Sequence, residues 1–289
     1  MQPMRSLFAP IPLFFVFLWS TGFIVARYGL PYAPPLTFLL LRFLGVLAIL
    51  VPLVLLLRAP WPKGKVGHVA IAGLLLQAGY LSGVWCAIKL GMPAGLSALI
   101  VGMQPVLTAF AAPLIGERVR PRQWIGLAFG LSGVALVVYA KITLLGLSWQ
   151  AIALATMALL SITAGTLYQK HFCPQFDLRT GTVIQFSASF AAVLPFALLL
   201  EDVAAIAWTP QFIGAWAWSV LALSIGAIFL LFALIRRSDA TQVTSLLYLT
   251  PPTTALMAWA MFGETLSWRG LAGMVLAVIG VIFVVKQPR

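Results

Sequence analysis

Negative charge is almost missing from this chain. Asp and Glu together number 6 in 289 residues, against 18 Lys and Arg, and charged residues of both signs make up only 8%. Soluble domains carry about 25%, so most of this chain cannot be a surface facing water. Other scarcities exclude particular chemistries. Two cysteines, Cys86 and Cys173, are too few for a disulfide scaffold. Two histidines, His68 and His171, fall in separate loops and make no metal-ligand cluster, so neither a metal nor another cofactor is expected. No G-x-x-x-x-G-K-[ST] run offers a nucleotide site, and no cluster of His, Asp, Glu or a nucleophile suggests an enzyme.

What is present is apolar length. Hydrophobic residues make up 62% of the chain, and the mean hydropathy is +1.05. Ten apolar runs are long enough to cross about 30 Å of hydrocarbon. They cover about 11 to 27, 36 to 57, 66 to 88, 94 to 115, 123 to 140, 148 to 168, 180 to 200, 212 to 235, 242 to 262 and 268 to 285. Runs such as FFVFLW lack the alternation of membrane strands, so the expected fold is an all-α integral membrane protein with ten transmembrane helices. The first run follows Arg5 without a clear small-x-small cleavage site and reads as a membrane helix, not a signal peptide. With ten crossings Cys86 and Cys173 fall near opposite faces, and no bond between them is expected.

Ten spans also put both termini on one side. That side collects Arg5, Arg58, Lys63, Lys65, Arg118, Arg120, Arg122, Lys170, Arg179, Arg236, Arg237, Lys286 and Arg289, whereas the other receives only Arg27, Lys89, Lys141 and Arg269. By the positive-inside rule the termini are cytoplasmic. The net charge of +12 is thus spread over short loops, and nucleic acid, which needs a concentrated basic patch, is not an expected partner.

The chain repeats itself. A shift of 147 residues lays Pro105 on Pro252, Gly116-Glu117 on Gly263-Glu264, Arg122 on Arg269, Gly126 on Gly273 and Gly133-Val134 on Gly280-Val281. A shift of 143 lays Gly22 on Gly165 and Arg27 on Lys170. Two five-helix repeats follow, 1–145 and 146–289. Because five is odd, the second is inverted in the membrane, an arrangement found in many secondary transporters.

Polar residues inside the spans are the candidate site. Arg42 lies about 9 Å along the second span; a charge at the centre of a span costs about 2.5 to 3.5 kcal/mol on insertion scales. Anion recognition and a structural tether or gate, with snorkelling a competitor, are both open for it. Pro105 and the pair Pro251-Pro252 break helices at related repeat positions and leave carbonyls needing partners. Gln104, Tyr248 and Thr250 lie beside those breaks. Trp19, Ser20, Gln77, Tyr80, Trp85, Tyr168 and Gln185 complete the candidates, because aromatic rings with one polar atom both stack on and orient an organic solute. Glu117 and Glu264 lie a membrane apart and cannot act as a pair. Each precedes a helix start, where a carboxylate meets exposed N–H groups, and each reads as part of a tight helical hairpin or of a gate. Gly126, Gly130 and Gly133, with Gly270, Gly273 and Gly280, serve close helix packing, within the chain or in a dimer.

The stretches FLWSTGFIVARYG, LLLRFLG, LIGERV with GLAFGLSGVALVV, and FGETLSWRGLAGMVLAVIGVIFVV together resemble the EamA family of the drug/metabolite transporter superfamily over nearly the whole chain. The resemblance implies a ten-helix, inverted five-plus-five transporter of the bacterial inner membrane, exporting amino acids, metabolites or toxic organic solutes; a monomer or homodimer among membrane lipids is expected. It implies a cavity lined from spans one, three, four, six, eight and nine. That supports Trp19, Gln77, Tyr80, Gln104, Tyr168 and Tyr248 over Gln185. The first motif departs from the family in carrying Ser20-Thr21-Gly22 where Asn is common. No Asp or Glu is expected at mid-membrane, so the residues name no proton carrier. An integral membrane enzyme or a scaffold is the alternative reading.

Overall fold

Long runs without charge can satisfy their backbone groups within a bilayer only by closing on themselves, and in the computed structural model of this chain they wind into helices. The structure describes residues 10–92, 97, 100–139, 148–262 and 268–285. Glu264, Arg5, Lys141, Lys286 and Arg289 lie outside these, as does the side chain of Arg27.

In chain order the described helices are α1 (Pro10–Gly29), α2 (Pro35–Leu56), α3 (Val66–Lys89), α4 (Gln104–Ile115) and α5 (Pro121–Tyr139). They continue with α6 (Trp149–Phe172), α7 (Leu178–Leu200), α8 (Pro210–Arg237), α9 (240–262) and α10 (Trp268–Val285). Among the described residues, six of them, α2, α3, α6, α7, α8 and α10, are long and apolar enough to cross a membrane. The protein is an all-α, multi-pass helical bundle.

Three helices change their winding partway along. α3 widens to a π turn over Leu74–Gly79, and α8 does so over Ser219–Ala227. Such turns hold one extra residue and recur at functional sites. α9 runs α over Ala240–Ser245, tightens to a 3₁₀ turn over Leu246–Leu249, and resumes as α at Thr250, with Pro251 and Pro252 in its first turn. Pro105 likewise opens α4, just after a turn at Gly102-Met103. A proline at such a position loses no helical bond that was available.

The helices pair in a regular way: α2 lies on α7, α4 on α9, α5 on α10, α3 on α6 and α7, and α8 on α1 and α2. The α5–α10 pair is the most intimate. A Cβ on Gly133 would sit 2.4 Å from the Ala277 nitrogen, and one on Gly280 would sit 2.3 Å from the Gly130 nitrogen. The small residues of these helices are therefore used within the chain. After the 3₁₀ turn that ends α4, α5 lies chiefly along α10 and meets α4 where the Phe110 and Trp124 rings stand 4.6 Å apart.

Candidate functional site

Arg42 does not snorkel. Its side chain turns inward from α2 and is only 5% exposed, and its Nε donates to Ser224 Oγ at 2.6 Å, within the π turn of α8. Ser224 in turn donates to the Ser219 carbonyl five residues back, at 2.9 Å. The π turn thus turns a hydroxyl toward α2. Among the described residues no carboxylate pairs with Arg42. A buried guanidinium without a counter-ion is costly unless something else supplies the charge.

Around it lies a cavity of about 60 Å³ lined by Trp19, Gln77, Tyr80 and Trp85, with apolar side chains of α1, α3 and α8 completing the wall. Trp19 stacks on Tyr80 with ring centroids 6.3 Å apart and planes 10° apart, which gives the cavity a flat aromatic side. Gln77 lies in the π turn of α3, and its Nε2 is buried without a partner. A second, smaller space shares Trp19 as a wall and is bordered by Phe15, Gln104, Thr166, Thr244 and Leu247.

Of the residues selected from sequence, Trp19, Arg42, Gln77, Tyr80 and Trp85 share the first cavity, and Gln104 joins Trp19 in the second. The others go elsewhere. Ser20 is fully buried and donates to the Val16 carbonyl at 2.7 Å. Tyr168 faces His68, hydroxyl to Nδ1 2.7 Å, and meets Phe172 at a tilt of 39°. Tyr248 is packed against α5, its ring where a Cβ on Gly130 would stand. Neither tyrosine lines the Arg42 cavity. Gln185 donates to Gln169 Oε1 at 2.8 Å, also away from it. Cys86 and Cys173 are both free thiols.

Ser224 went unselected because it is one of just two hydroxyls in the apolar run SVLALSIGA. The repeat held the signal, since a shift of 147 carries Gln77 onto residue 224.

The carboxylates act at the ends of the bundle. Gly116 adopts φ 78, a left-handed conformation natural to glycine, and closes the turn after α4. Glu117 follows and reaches α9, not α5: both its oxygens accept the Ala240 N–H, at 2.9 and 3.1 Å. Asp239, at the N-cap position of that helix, makes no capping bond itself. Lys170 Nζ lies 3.6 Å from Glu117 and donates to the carbonyls of Ile235 and Ser238, which ties α6 to the end of α8. Burial holds the Glu117 carboxyl above the ordinary carboxylate range, although Lys170 and the Ala240 N–H pull it down. Glu201, just past α7, caps α2 by accepting from Leu36 N, Thr37 N and Thr37 Oγ1 at 2.9, 2.8 and 2.8 Å.

A multi-pass helical bundle that encloses a polar, aromatic-walled cavity between its helices has the architecture of a membrane transporter. The chain belongs to the EamA-like transporter family, whose model matches it twice, over residues 9–139 and 149–286. It is similar to the uncharacterized inner membrane transporter YedA of Escherichia coli K12, with 30% identity over 269 residues, 91% of this chain and 86% of the relative. It is also 29% identical over 279 residues to a probable amino-acid metabolite efflux pump of Salmonella typhimurium, covering 93% and 92% of the two chains. A solved crystal structure that is 21% identical shares the fold, with a TM-score of 0.77 over 96% of each chain. The protein is a secondary transmembrane solute transporter.

Proposed function

We propose that this transporter exports small amphipathic organic solutes bearing a carboxylate, amino acids or related metabolites, by alternating access between two inverted five-helix repeats. The observation that carries the substrate class is Arg42, buried, unpaired with any described carboxylate, and facing a cavity with a flat aromatic wall. A solute carboxylate would supply the missing counter-charge, and Trp19, Tyr80 and Trp85 would take the apolar part. The cavity has room for only a few waters, so binding an amino acid requires the walls to part.

Several features support the repeat. The π turn of α3, moved by 147 residues, spans 221–226, inside the π turn of α8. The contact of α2 with α8 has its counterpart in α7 with α3: Arg42 meets Ser224 in the first, and Ser189 donates to the Gly73 carbonyl at 3.0 Å in the second. The family model also matches in two successive stretches. Location in a bacterial inner membrane follows the name given to YedA, and export follows the name of the efflux pump. The lysine and arginine bias puts both termini in the cytoplasm. The engagement of the α5 and α10 glycines with one another favours a monomer.

The test is flux in reconstituted vesicles with a panel of amino acids, their amides and their decarboxylated amines. Saturable flux should require the carboxylate, and Arg42→Gln should raise the half-saturating concentration about tenfold or more, the equivalent of about 1.4 kcal/mol. Equal transport of acids and amides by the wild type, or an Arg42→Gln variant with unaltered kinetics, would refute the assignment.

A further inference from the structure

The smaller space bordered by Trp19 differs from the Arg42 cavity in the sense of its hydrogen bonding. Thr166 Oγ1 donates its single proton to the Ile162 carbonyl at 2.8 Å, so toward Gln104 it can only accept. The Gln104 amide must therefore present its NH₂ there, and Nε2 lies 3.2 Å from Thr166 Oγ1 and 3.5 Å from the Ile162 carbonyl. That orientation fixes the other end of the amide: Oε1 is buried and has no partner, in a residue 1% exposed that borders the space. Thr244 likewise gives its proton to backbone, at 3.0 Å to the Ala240 carbonyl, and keeps its lone pairs. The polar atoms left over on this side are acceptors. On the Arg42 side they are donors, the guanidinium and Gln77 Nε2.

We propose that the compartment bounded by Gln104, Thr166 and Thr244 is a subsite for the protonated amine of the solute, with Trp19 as the partition between it and the carboxylate site. The inference rests on the reading of Arg42 as the carboxylate anchor. Its volume, about 10 Å³, is that of a single water, and an ammonium head is of similar size. Neutral acceptors hold such a cation without trapping it as a buried carboxylate would, and the Trp19 indole that borders the space adds cation–π attraction. Displacement of Trp19 joins the two spaces into one site with donors at one end and acceptors at the other. Such a site selects a zwitterion over either a simple acid or a simple amine.

Binding to purified protein in lipid nanodiscs tests this with three probes: phenylalanine, 3-phenylpropanoate, which lacks the amine, and phenethylamine, which lacks the carboxylate. Wild type should bind phenylalanine at least tenfold more tightly than 3-phenylpropanoate. Gln104→Leu should remove that preference and leave the affinity for 3-phenylpropanoate unaltered, whereas Gln104→Glu, which keeps an acceptor, should retain it. Arg42→Gln should weaken both carboxylates and leave phenethylamine unaffected; failure of this arm alone overturns the carboxylate anchor. If Gln104→Leu keeps the wild-type preference, or if wild type binds phenylalanine and 3-phenylpropanoate equally or binds neither, the amine subsite is overturned. A Gln104→Leu protein that fails to fold leaves Gln104→Glu to decide: loss of the preference there overturns the subsite too.

Discussion

Glu117 holds the Ala240 N–H with both carboxylate oxygens, 2.9 and 3.1 Å away, across 123 residues of sequence. One side chain thereby joins the turn after α4 to the first turn of α9, with Lys170 of α6 as its counter-ion.

That bond has a pH signature. Burial raises the Glu117 carboxyl above the ordinary range. For a group whose folded pKa lies above its unfolded value of about 4.3, the linked stability is complete below that value and is lost as pH rises through the folded one. Glu117→Gln removes this dependence. The unfolding midpoint of wild type relative to the variant should fall as pH rises above about 4, then level off once the folded carboxyl is ionised. Thermal unfolding in detergent across that range checks it, and a difference growing with pH has the wrong sign.

Asp177 should behave in the opposite sense. Its carboxylate accepts from the Arg179 side chain at 3.0 and 2.7 Å and from the Arg179 N–H at 2.9 Å, and Arg179 holds its pKa below the usual value. The stability it contributes is present above about pH 3.9 and is lost as pH falls through the lowered value. The advantage of wild type over Asp177→Asn should therefore be flat near neutrality and vanish only in strong acid, in the same unfolding assay.

The helices were legible in the sequence because apolar runs leave the backbone no other way to bond, and Trp19, Arg42, Gln77, Tyr80 and Gln104 could be picked out as polar or aromatic exceptions within those runs. Position around a helix was not legible where the winding changes. Tyr248 sits in the 3₁₀ turn of α9 and packs on α5, and Ser224 sits in the π turn of α8 and meets Arg42. The partner of Glu117 was hidden for a different reason: the carboxylate was expected at a nearby helix start, and the N–H it accepts belongs to the other half of the chain.

The α5–α10 contact should tolerate no added carbon. Gly133→Ala places Cβ against the Ala277 backbone, which cannot move aside as a side chain could, and should destabilise by about 1 to 3 kcal/mol. Gly67→Ala, with nothing within 4 Å of the new atom, is the control and should be neutral or stabilising by about 0.4 to 1 kcal/mol. Denaturant titration of both proteins compares them directly, and equal stabilities would show that the helices separate freely.

Removing the Glu201 cap should loosen α2 at the end nearer Arg42. Glu201→Gln exchanges charge-assisted bonds to Leu36 and Thr37 for neutral ones and should cost about 1 to 3 kcal/mol. Thr37→Val removes only the hydroxyl bond and should cost less. The order of the two unfolding midpoints is the measurement, and a larger loss for Thr37→Val would contradict the capping role.

The π turns give the bundle a way to change phase. Each winds one residue more than an α-helix would, and returning that residue to α winding would rotate the stretch beyond it by about 100° and shift it about 1.5 Å along the axis. In α3 the stretch beyond the turn begins with Tyr80 and includes Trp85, one wall of the cavity, while the start of the turn stays tethered where Ser189 bonds to the Gly73 carbonyl. A carrier wound this way can replace the side chains that face its solute by turning half a helix on its own axis.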